Sequence, residues 1–445
     1  MQRGPITGLL HWAFPAMLLV GALAAATSGR DLSESFSDLQ AIAQPVRPTL
    51  LVWVQRAVSL LLLLAALEQI LNHIALRRRT PSPTLLVAFI AFWVGTIAAP
   101  ALLGAHPAVS HELLYAPAMG IAACLVGASE RERILHAARD ALILLMLAGL
   151  LAAAIRPALV MDPTYAAGLL PGVPRFAGLT PHAVTQGSLA QVATLLLWAF
   201  PYRQRWLTRA AWVLTLSVLW IAQSKAAWIA CVVCLGTMAF VRHGDALRRS
   251  LVDPRQTLYA SLMLTGLGAL VLAGLAAVIV GDAGARVSDF LQSPEGARMA
   301  TLTGRDRIWV IAAQEWSSHP VFGYGLTLWD AAYRARIDLP NATHAHNQFM
   351  DDAARAGSVG ATVLVVYATV LLLMSVRYAR ATGGLSIALF LSLALRAISE
   401  VPLMLLGYGS ELFVHGLLLV LLAAAAHPKR ERTRLAFPLR SGVVR

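Results

Sequence analysis

Long apolar runs dominate this sequence and restrict what it can fold into. About twelve runs, each roughly 17–25 residues long, follow one another along the chain, and none alternates polar with apolar residues. Because lipid offers no hydrogen-bond partners to an open backbone, runs of this length must form helices. We therefore predict an all-α polytopic membrane protein with about twelve transmembrane helices, at 7–27, 50–72, 83–104, 111–128, 136–156, 185–201, 207–223, 226–241, 257–281, 357–376, 384–401 and 406–426.

The charge composition agrees with a lipid environment. Only 13% of the 445 residues are charged, whereas a soluble domain carries about 25%. Most of the net charge of +13 falls in short loops on one side of the predicted topology, as expected of cytoplasmic loops. The basic balance therefore predicts an orientation with both termini cytoplasmic, and not a nucleic-acid partner. The first apolar run, about 20 residues long, exceeds the usual length of a signal peptide and predicts an uncleaved helix.

Three longer loops fall on the opposite side, at 28–49, 157–184 and 282–356. The last loop is long enough for a small subdomain, and it carries apolar and aromatic residues at helical spacing from Ile308 to Trp316. We predict that it is partly helical and packs on the membrane surface. The chain then divides into nine helices in 1–281, this loop in 282–356, three helices in 357–426 and a basic cytoplasmic tail in 427–445.

Basic residues in the outer loops oppose the usual charge bias and indicate an anionic ligand on that side. The segment 303–309 is the sharpest case, because Thr303 could cap a helix whose first N–H groups add to Arg305 as an anion site. The planar guanidinium groups of Arg305 and Arg307 suit phosphate oxygens. Three further cations, at or near the outer ends of spans, are candidates for the same site: Lys225, Arg175 and Arg56.

A histidine pair precedes the tenth predicted helix. His344 and His346 are two residues apart, and Asn347 follows. Histidine is the usual general base near neutral pH, although these residues could also be polar groups at the membrane interface. The sequence has neither an HExxH nor a D-x-D motif, so we predict no metal site.

Two opposite charges lie four residues apart at the outer end of the eleventh predicted helix. Arg396 and Glu400 would share one face of that helix. We predict a structural ion pair between them.

Short motifs in 303–360 resemble the signature of bacterial O-antigen ligases. They are HPVFGYG at 319–325, HAHNQF at 344–349 followed by Gly357 and Gly360 at the start of a span, and an upstream TGRxxxW at 303–309. That family belongs to a superfamily that also contains O-antigen polymerases and O-linked protein oligosaccharyltransferases. The resemblance implies a C-type glycosyltransferase-like fold.

The resemblance implies a specific transfer reaction. A glycan on undecaprenyl pyrophosphate would move to a sugar hydroxyl of lipid A–core, at the periplasmic face of the bacterial inner membrane, with inversion and without metal or other cofactor. His346 matches the family's essential histidine and would be the general base, with Arg305 and Lys225 neutralising the pyrophosphate. The partners are the two lipid-linked substrates and membrane lipids, and a monomer is favoured. The predicted substrate-binding residues are Arg175, His344, Asn347, Arg307 and Arg56.

Several alternatives stay open at the level of sequence. Ligases, polymerases and protein transferases share the histidine loop and the basic outer sites, and nothing in 282–356 selects among their acceptors. A transporter could also have twelve spans with cytoplasmic termini. Transporters, however, usually bind substrate at the bilayer midplane, whereas the ionisable residues here gather at the outer rim. An envelope scaffold would tolerate substitution of His346.

Overall fold

The computed structural model describes residues 8–33, 48–163, 165, 170, 172–252 and 305–426. These residues are mostly helical, with one two-stranded antiparallel ribbon. The ninth predicted span, at 257–281, lies outside the described residues, as do 282–304 of the long outer loop and the tail at 427–445.

The elements follow the order of the apolar runs. Before the outer ribbon come α1 (Leu10–Thr27), α2 (Thr49–Ala75), α3 (Pro83–Trp93), a π-helical turn (Val94–Ala98), α4 (Ala99–Leu103), a 3₁₀ turn (His111–Leu114), α5 (Tyr115–Cys124), α6 (Ala128–Ile155) and α7 (Pro157–Val160). The ribbon pairs β1 (Met161–Asp162) with β2 (Arg175–Phe176). After it come α8 (Ala183–Ala199), α9 (Arg205–Ile221), α10 (Lys225–Val252), α11 (Arg305–Ser318), α12 (Ala331–Arg336), α13 (Gln348–Arg377), a 3₁₀ turn (Arg380–Thr382), α14 (Leu385–Ala397) and α15 (Ser410–Ala426).

Six helices are long and apolar enough to cross a membrane: Leu10–Thr27, Thr49–Ala75, Pro83–Leu103, Ala128–Ile155, Lys225–Asp245 and Gln348–Arg377. The protein is thus a helical membrane protein, and the number of twelve spans remains a prediction. The fourth predicted span, 111–128, is wrong in length. Its helix α5 has ten residues and rises about 15 Å, half of a hydrocarbon core of about 30 Å.

Helix α15 forms the centre of the bundle. Every residue from 412 to 424 is buried, and α15 packs against α1, α5, α6 and α14. A helix that is apolar on all sides is stable only when other helices surround it. Its one buried imidazole, His415, has its Nε2 atom 2.6 Å from the hydroxyl of Tyr367 on α13.

Helix α13 is broken near its outer end. Gly357 has φ 64° and ψ −161°, a conformation that only glycine adopts at low cost. The break separates a short outer segment, 348–356, from the long membrane segment that follows. Gly357 therefore opens the membrane segment, as the motif predicted, and the short segment in front of it supports the histidine turn.

The HPVFGYG segment, 319–325, bridges this break. In a continuous helix the N–H groups of 358 and 359 would bond the carbonyls of 354 and 355. Here four backbone hydrogen bonds to 320–325 replace them: Ser358 N–H to Pro320, Val359 N–H to Val321, Tyr324 N–H to Ala354 and Gly325 N–H to Arg355. A Cβ atom on Gly357 would approach the Val321 carbonyl oxygen within 2.3 Å. The motif thus supports the broken helix through backbone hydrogen bonds, and we call this segment the splint. Its glycines allow its backbone to approach the backbone of α13 closely.

Candidate active site

The carboxylate of Glu400 lies at the centre of a cluster of basic groups. Its oxygens are 3.3 Å from His344 Nε2, 3.6 Å from His346 Nδ1 and 3.9 Å from a terminal nitrogen of Arg305. Arg305 begins α11, the histidines precede α13, and Glu400 follows α14. We call these four residues the Glu400 cluster. It unites the predicted base and a predicted anion-binding arginine with a carboxylate that was predicted to pair with Arg396.

The predicted ion pair between Arg396 and Glu400 is wrong. Helix α14 ends at Ala397, so the two residues no longer share a helical face. The Glu400 N–H donates to the Arg396 carbonyl at 2.8 Å in a turn, and the carboxylate points to the histidines. Arg396 instead pairs with Glu411 at 3.0 Å.

A compact turn holds the two histidines. The buried carboxylate of Asp351 accepts the Ala345 N–H at 2.8 Å, and Trp309 of α11 donates its indole N–H to the Ala345 carbonyl at 2.8 Å. His346 has φ 51°, an uncommon conformation for a residue with a side chain, and such strain tends to occur at functional sites. The turn therefore fixes the direction of both imidazoles.

Hydrogen bonding assigns different states to the two rings. His344 Nδ1 accepts the His346 backbone N–H at 3.1 Å, so a neutral His344 carries its proton on Nε2, directed at Glu400. Burial, together with the neighbouring His346, lowers the pKa of His344 to about 4, which keeps it neutral. Both nitrogens of His344 are therefore engaged within the cluster, and it has no lone pair for a substrate proton.

His346 has the complementary arrangement. Its Nδ1 is buried and lacks a hydrogen-bond partner among the described residues, since Glu400 at 3.6 Å is beyond ordinary hydrogen-bond distance. A small approach would let Nδ1–H donate to Glu400 and leave the Nε2 lone pair for a substrate. Of the two histidines, His346 is thus the one able to accept a proton.

The charge of Glu400 is stabilised by its neighbours. Burial opposes the ionised form, but His346, His344 and Arg396 outweigh it and lower the pKa of the carboxyl below its usual value. Glu400 is therefore a carboxylate at neutral pH. It can orient an imidazole and favour its protonated form, as a carboxylate does in a catalytic triad.

Arg175 lies beside the cluster on strand β2. Its Nε donates to the Ala222 carbonyl at 3.1 Å, and its guanidinium lies 4.2 Å from the centre of the Tyr165 ring. Burial lowers the pKa of Arg175, and the charge of Glu400 is among the nearby charges that partly offset this effect. The structure thus brings this predicted cation close to the cluster, held by the end of α9.

Two residues near Arg175 were missed by sequence reasoning. His182 caps α8 by accepting the Val184 N–H on Nδ1, and burial, together with the charge of Arg175, lowers its pKa. Arg30 donates to the carbonyls of Leu159, Thr180 and Gly178 and so ties the end of α1 to the loop before α8. A single arginine or histidine in an outer loop carries no local signal for either role.

The remaining predicted residues have other surroundings. Lys225 is the first residue of α10, and the next two residues line a small cavity together with Glu400. Asn347 caps α13 by accepting the Met350 N–H at 3.1 Å. Arg307 is exposed and donates to the Ile337 carbonyl at 3.2 Å. Arg56 is exposed on α2, with its guanidinium 5.0 Å from the centre of the Trp53 ring.

Part of the cluster also has the donor set of a metal site. Three residues, His344, His346 and Glu400, each offer one ligand atom, and these atoms lie within 4.8 Å of one another. Imidazole together with carboxylate suits Zn²⁺ or Fe²⁺. Arg305, however, lies 3.9 Å from the same carboxylate, and its fixed positive charge opposes a divalent cation there. The four residues fit a hydrogen-bonding network of one arginine and two imidazoles around a carboxylate better than a metal centre.

Residues 210–365 match a family model described as O-antigen ligase. The matched segment carries Lys225, Arg305 and both clustered histidines, whereas Arg175 and Glu400 lie outside it. No curated protein matches the sequence. Members of the matched family are glycosyltransferase-like enzymes, ligases and polymerases. The match supports assigning this helical membrane protein to the O-antigen ligase family, whose motifs its outer loop resembles.

Proposed function

We propose that this protein is an O-antigen ligase that transfers a glycan from undecaprenyl pyrophosphate to a sugar hydroxyl of lipid A–core at the periplasmic face of the inner membrane. The observation that carries the proposal is the Glu400 cluster, in which one carboxylate contacts Arg305, His344 and His346. Such a cluster combines a base, a group that orients it and a cation for a phosphate leaving group.

His346 acts as the general base. The acceptor hydroxyl gives its proton to His346 Nε2 while its oxygen attacks the anomeric carbon from the face opposite the pyrophosphate. The bond between that carbon and the pyrophosphate oxygen breaks, and its electron pair leaves with the pyrophosphate, so the configuration inverts. Glu400 stabilises the imidazolium that forms, and general-base catalysis of this kind contributes about 10²–10⁴-fold.

Arginine and lysine replace a metal ion at the leaving group. The negative charge that develops on the pyrophosphate is stabilised by Arg305 at the start of α11, by the buried Arg175 and by Lys225. The N–H groups at the start of α11 add to the same field. When the pyrophosphate binds, Arg305 exchanges its 3.9 Å contact with Oε1 of Glu400 for phosphate oxygens, while Oε2 stays beside the two histidines.

The acceptor sets this proposal apart from two close alternatives. A polymerase would use an O-antigen repeat as acceptor, and a protein transferase a serine hydroxyl. The same base and cations serve all three reactions. We place the ligase first because the HPVFGYG and HAHNQF motifs resemble those of ligases, and the matched family model carries the same description.

The first experiment uses cells that lack this protein and examines their lipopolysaccharide on gels. Wild type should restore the long-chain ladder, whereas His346→Ala at equal membrane abundance should leave bare core and accumulate glycan on its lipid carrier. The matched control is His243→Ala, which should restore the ladder. His243 is exposed on α10, far along the helix from its first residue, Lys225. A full ladder with His346→Ala would contradict the mechanism, and no ladder with wild type would contradict the ligase assignment.

The role of metal is tested with purified protein and the two lipid substrates. We expect the same transfer rate after EDTA treatment and without added divalent ions, because the arginines supply the positive charge. A loss of rate with EDTA that Zn²⁺ or Mn²⁺ restores would show instead that His344, His346 and Glu400 bind a catalytic metal.

A further inference from the structure

A groove open to the lipid lies between α13 and α14. It has a volume of about 450 Å³ and is lined almost entirely by apolar side chains. Helix α13 contributes residues from Leu364 to Leu372, and the antiparallel α14 contributes residues from Phe390 to Ala397. Eight residues of helix rise about 12 Å, which is most of one leaflet of about 15 Å. The groove is thus long enough to span most of one leaflet.

The outer end of the groove meets the Glu400 cluster. Asn347 and Ile398 both line the groove, and the Asn347 side chain donates to the Ile398 carbonyl at 3.4 Å. His346 directly precedes Asn347, and Glu400 follows Ile398 by two residues. An apolar chain in the groove would therefore carry its headgroup at the proposed base and cations.

We propose that this groove binds the pyrophosphate-proximal isoprenoid units of the donor's polyprenyl chain. The inference rests on the proposed function and names the part of the donor that the groove recognises. In the donor, the reacting carbon, the pyrophosphate and the apolar chain follow one another directly, so the chain must begin next to the reacting atoms. In the acceptor, core sugars separate the accepting hydroxyl from the acyl chains. A groove that opens beside His346 therefore fits the donor.

Small side chains keep the groove open. Ala368 on α13 and Ala394 on α14 both line it, and neither fills the space between the helices. An isoprenoid chain carries a methyl branch on every unit and needs more width than a straight acyl chain. A phenylalanine at either position would occupy this space, so these two alanines are the positions at which the groove can be closed.

The kinetic test compares donors with the same glycan pyrophosphate on a long polyprenyl chain or on a geranyl chain. Wild type should prefer the long chain in kcat/KM. In Ala368→Phe and Ala394→Phe this preference should fall by about tenfold, the equivalent of about 1.4 kcal/mol, chiefly through the KM of the long-chain donor. Val366→Phe, on the exposed opposite face of α13, is the matched control and should keep the preference.

Two kinetic outcomes would overturn the proposal. An unchanged preference in both groove variants would mean that the donor chain binds elsewhere. A rise in the KM of the lipid A–core acceptor, with the donor KM unchanged, would assign the groove to an acyl chain of the acceptor.

A binding test separates the groove from the reaction. Purified protein is photolabelled with polyprenyl pyrophosphate that carries a diazirine in an isoprenoid unit near the pyrophosphate. We expect labelled peptides from α13 and α14, protected by excess undecaprenyl pyrophosphate but not by phosphatidylglycerol. Equal protection by phosphatidylglycerol, or labelling elsewhere, would overturn the groove assignment even if transfer occurs. Protected labelling in an enzyme that never transfers glycan would keep the groove and contradict the proposed function.

Discussion

Glu400 has more polar neighbours than any local pattern around it suggests. One carboxylate oxygen, Oε1, faces Arg305, whereas the other, Oε2, faces both His344 and His346, so the two imidazoles share one oxygen. In the structure His344 is nearest, at 3.3 Å, whereas His346 Nδ1, at 3.6 Å, is without a hydrogen bond among the described residues. Under the proposed mechanism, His346 completes a hydrogen bond to Oε2 when substrate binds and Arg305 turns to the pyrophosphate.

We predict that Glu400→Gln lowers kcat for glycan transfer by about 10²-fold or more, with a small change in the donor KM, because an amide cannot stabilise an imidazolium. Glu411→Gln is the matched control, a nearby carboxylate that pairs with Arg396 outside the cluster, and it should retain most activity. Steady-state kinetics in detergent provide the measurement. A Glu400→Gln enzyme as fast as wild type would reduce Glu400 to a structural role.

The lowered pKa of His344 predicts that the folded protein loses stability in acid. In the folded protein burial, with the charge of His346, lowers this pKa from 6.5 to about 4, so between these values the unfolded chain binds a proton that the folded one does not. The free energy of unfolding therefore falls as pH drops from about 6.5 to about 4 and is unaffected by this group above that range. The depressed pKa of Glu400 adds to the loss at the acid end.

His344→Asn should flatten this acid dependence, because the Asn amide oxygen can still accept the His346 N–H but does not titrate. Thermal unfolding in detergent from pH 4.5 to 7.5 measures the effect, with His243→Asn as the control that keeps the wild-type slope. Parallel curves for His344→Asn and wild type would show that His344 is not buried as a neutral ring.

Residue roles were predictable only where the chemistry is local. The histidine pair and the outer arginines differ from their apolar context, and two of the residues predicted on that basis, His346 and Arg305, lie beside the same carboxylate. Glu400 was assigned to Arg396 because the spacing assumed a helix through residue 400, whereas α14 ends at Ala397. Arg30 and His182 were missed because their partners are carbonyls and charges remote in sequence. Functional roles for all of these residues stay predictions until the kinetics are measured.

At the scale of elements, one break organises the outer end of the molecule. Helix α13 would be continuous without Gly357, and its outer segment would then continue the axis of the membrane helix. The break, with the splint at 319–325, lets the outer segment turn and carry Asn347 to the Ile398 carbonyl. The family motif thus has a structural explanation: its glycines and backbone groups hold the segment that directly follows His346, the proposed base.

Substitution of Gly357 tests this explanation. Gly357→Ala would place a Cβ atom 2.3 Å from the Val321 carbonyl oxygen at φ 64°, and we expect a loss of about 1–3 kcal/mol of stability together with a fall in transfer activity. Gly236→Ala on α10 meets nothing within 4 Å and should be neutral or stabilising by up to about 1 kcal/mol. Thermal unfolding in detergent compares the two. A Gly357→Ala protein as stable as wild type would contradict the splint.

The helices themselves were largely predictable, because apolar length is a local property of the chain. Every predicted span within the described residues contains a helix, although the helix in the fourth span is much shorter than predicted. Their ends were less predictable: α5 is shorter than its apolar run, since its run includes the 3₁₀ turn at 111–114 and the turn after Cys124. The splint could not be inferred from spacing, because backbone hydrogen bonds between 320–325 and 354–359 leave no side-chain signature beyond the glycines.

At the scale of the whole molecule, helix ends and loop charges are consistent with one topology. The starts of α8, α10 and α13 and the end of α14 all lie near the Glu400 cluster, so these ends share one side of the bundle. The opposite ends of α8, α13 and α14 lead into the basic loops around 203–209 and 377–380. Charge and geometry are independent observations, and by the positive-inside rule they predict that the cluster faces away from the cytoplasm.

Cysteine labelling in spheroplasts tests this orientation. The native cysteines, Cys124, Cys231 and Cys234, are all buried and are first replaced by alanine. In that background Ala335→Cys, exposed on α12 beside the cluster, should react with a membrane-impermeant maleimide in intact spheroplasts, whereas Arg203→Cys, exposed between α8 and α9, should react only after lysis. The two positions serve as controls for each other, because the predicted topology places them on opposite sides of the membrane. If Arg203→Cys reacts in intact spheroplasts, the topology is the reverse of the predicted one. The Glu400 cluster would then face the cytoplasm, and a periplasmic transfer reaction at His346 would be impossible.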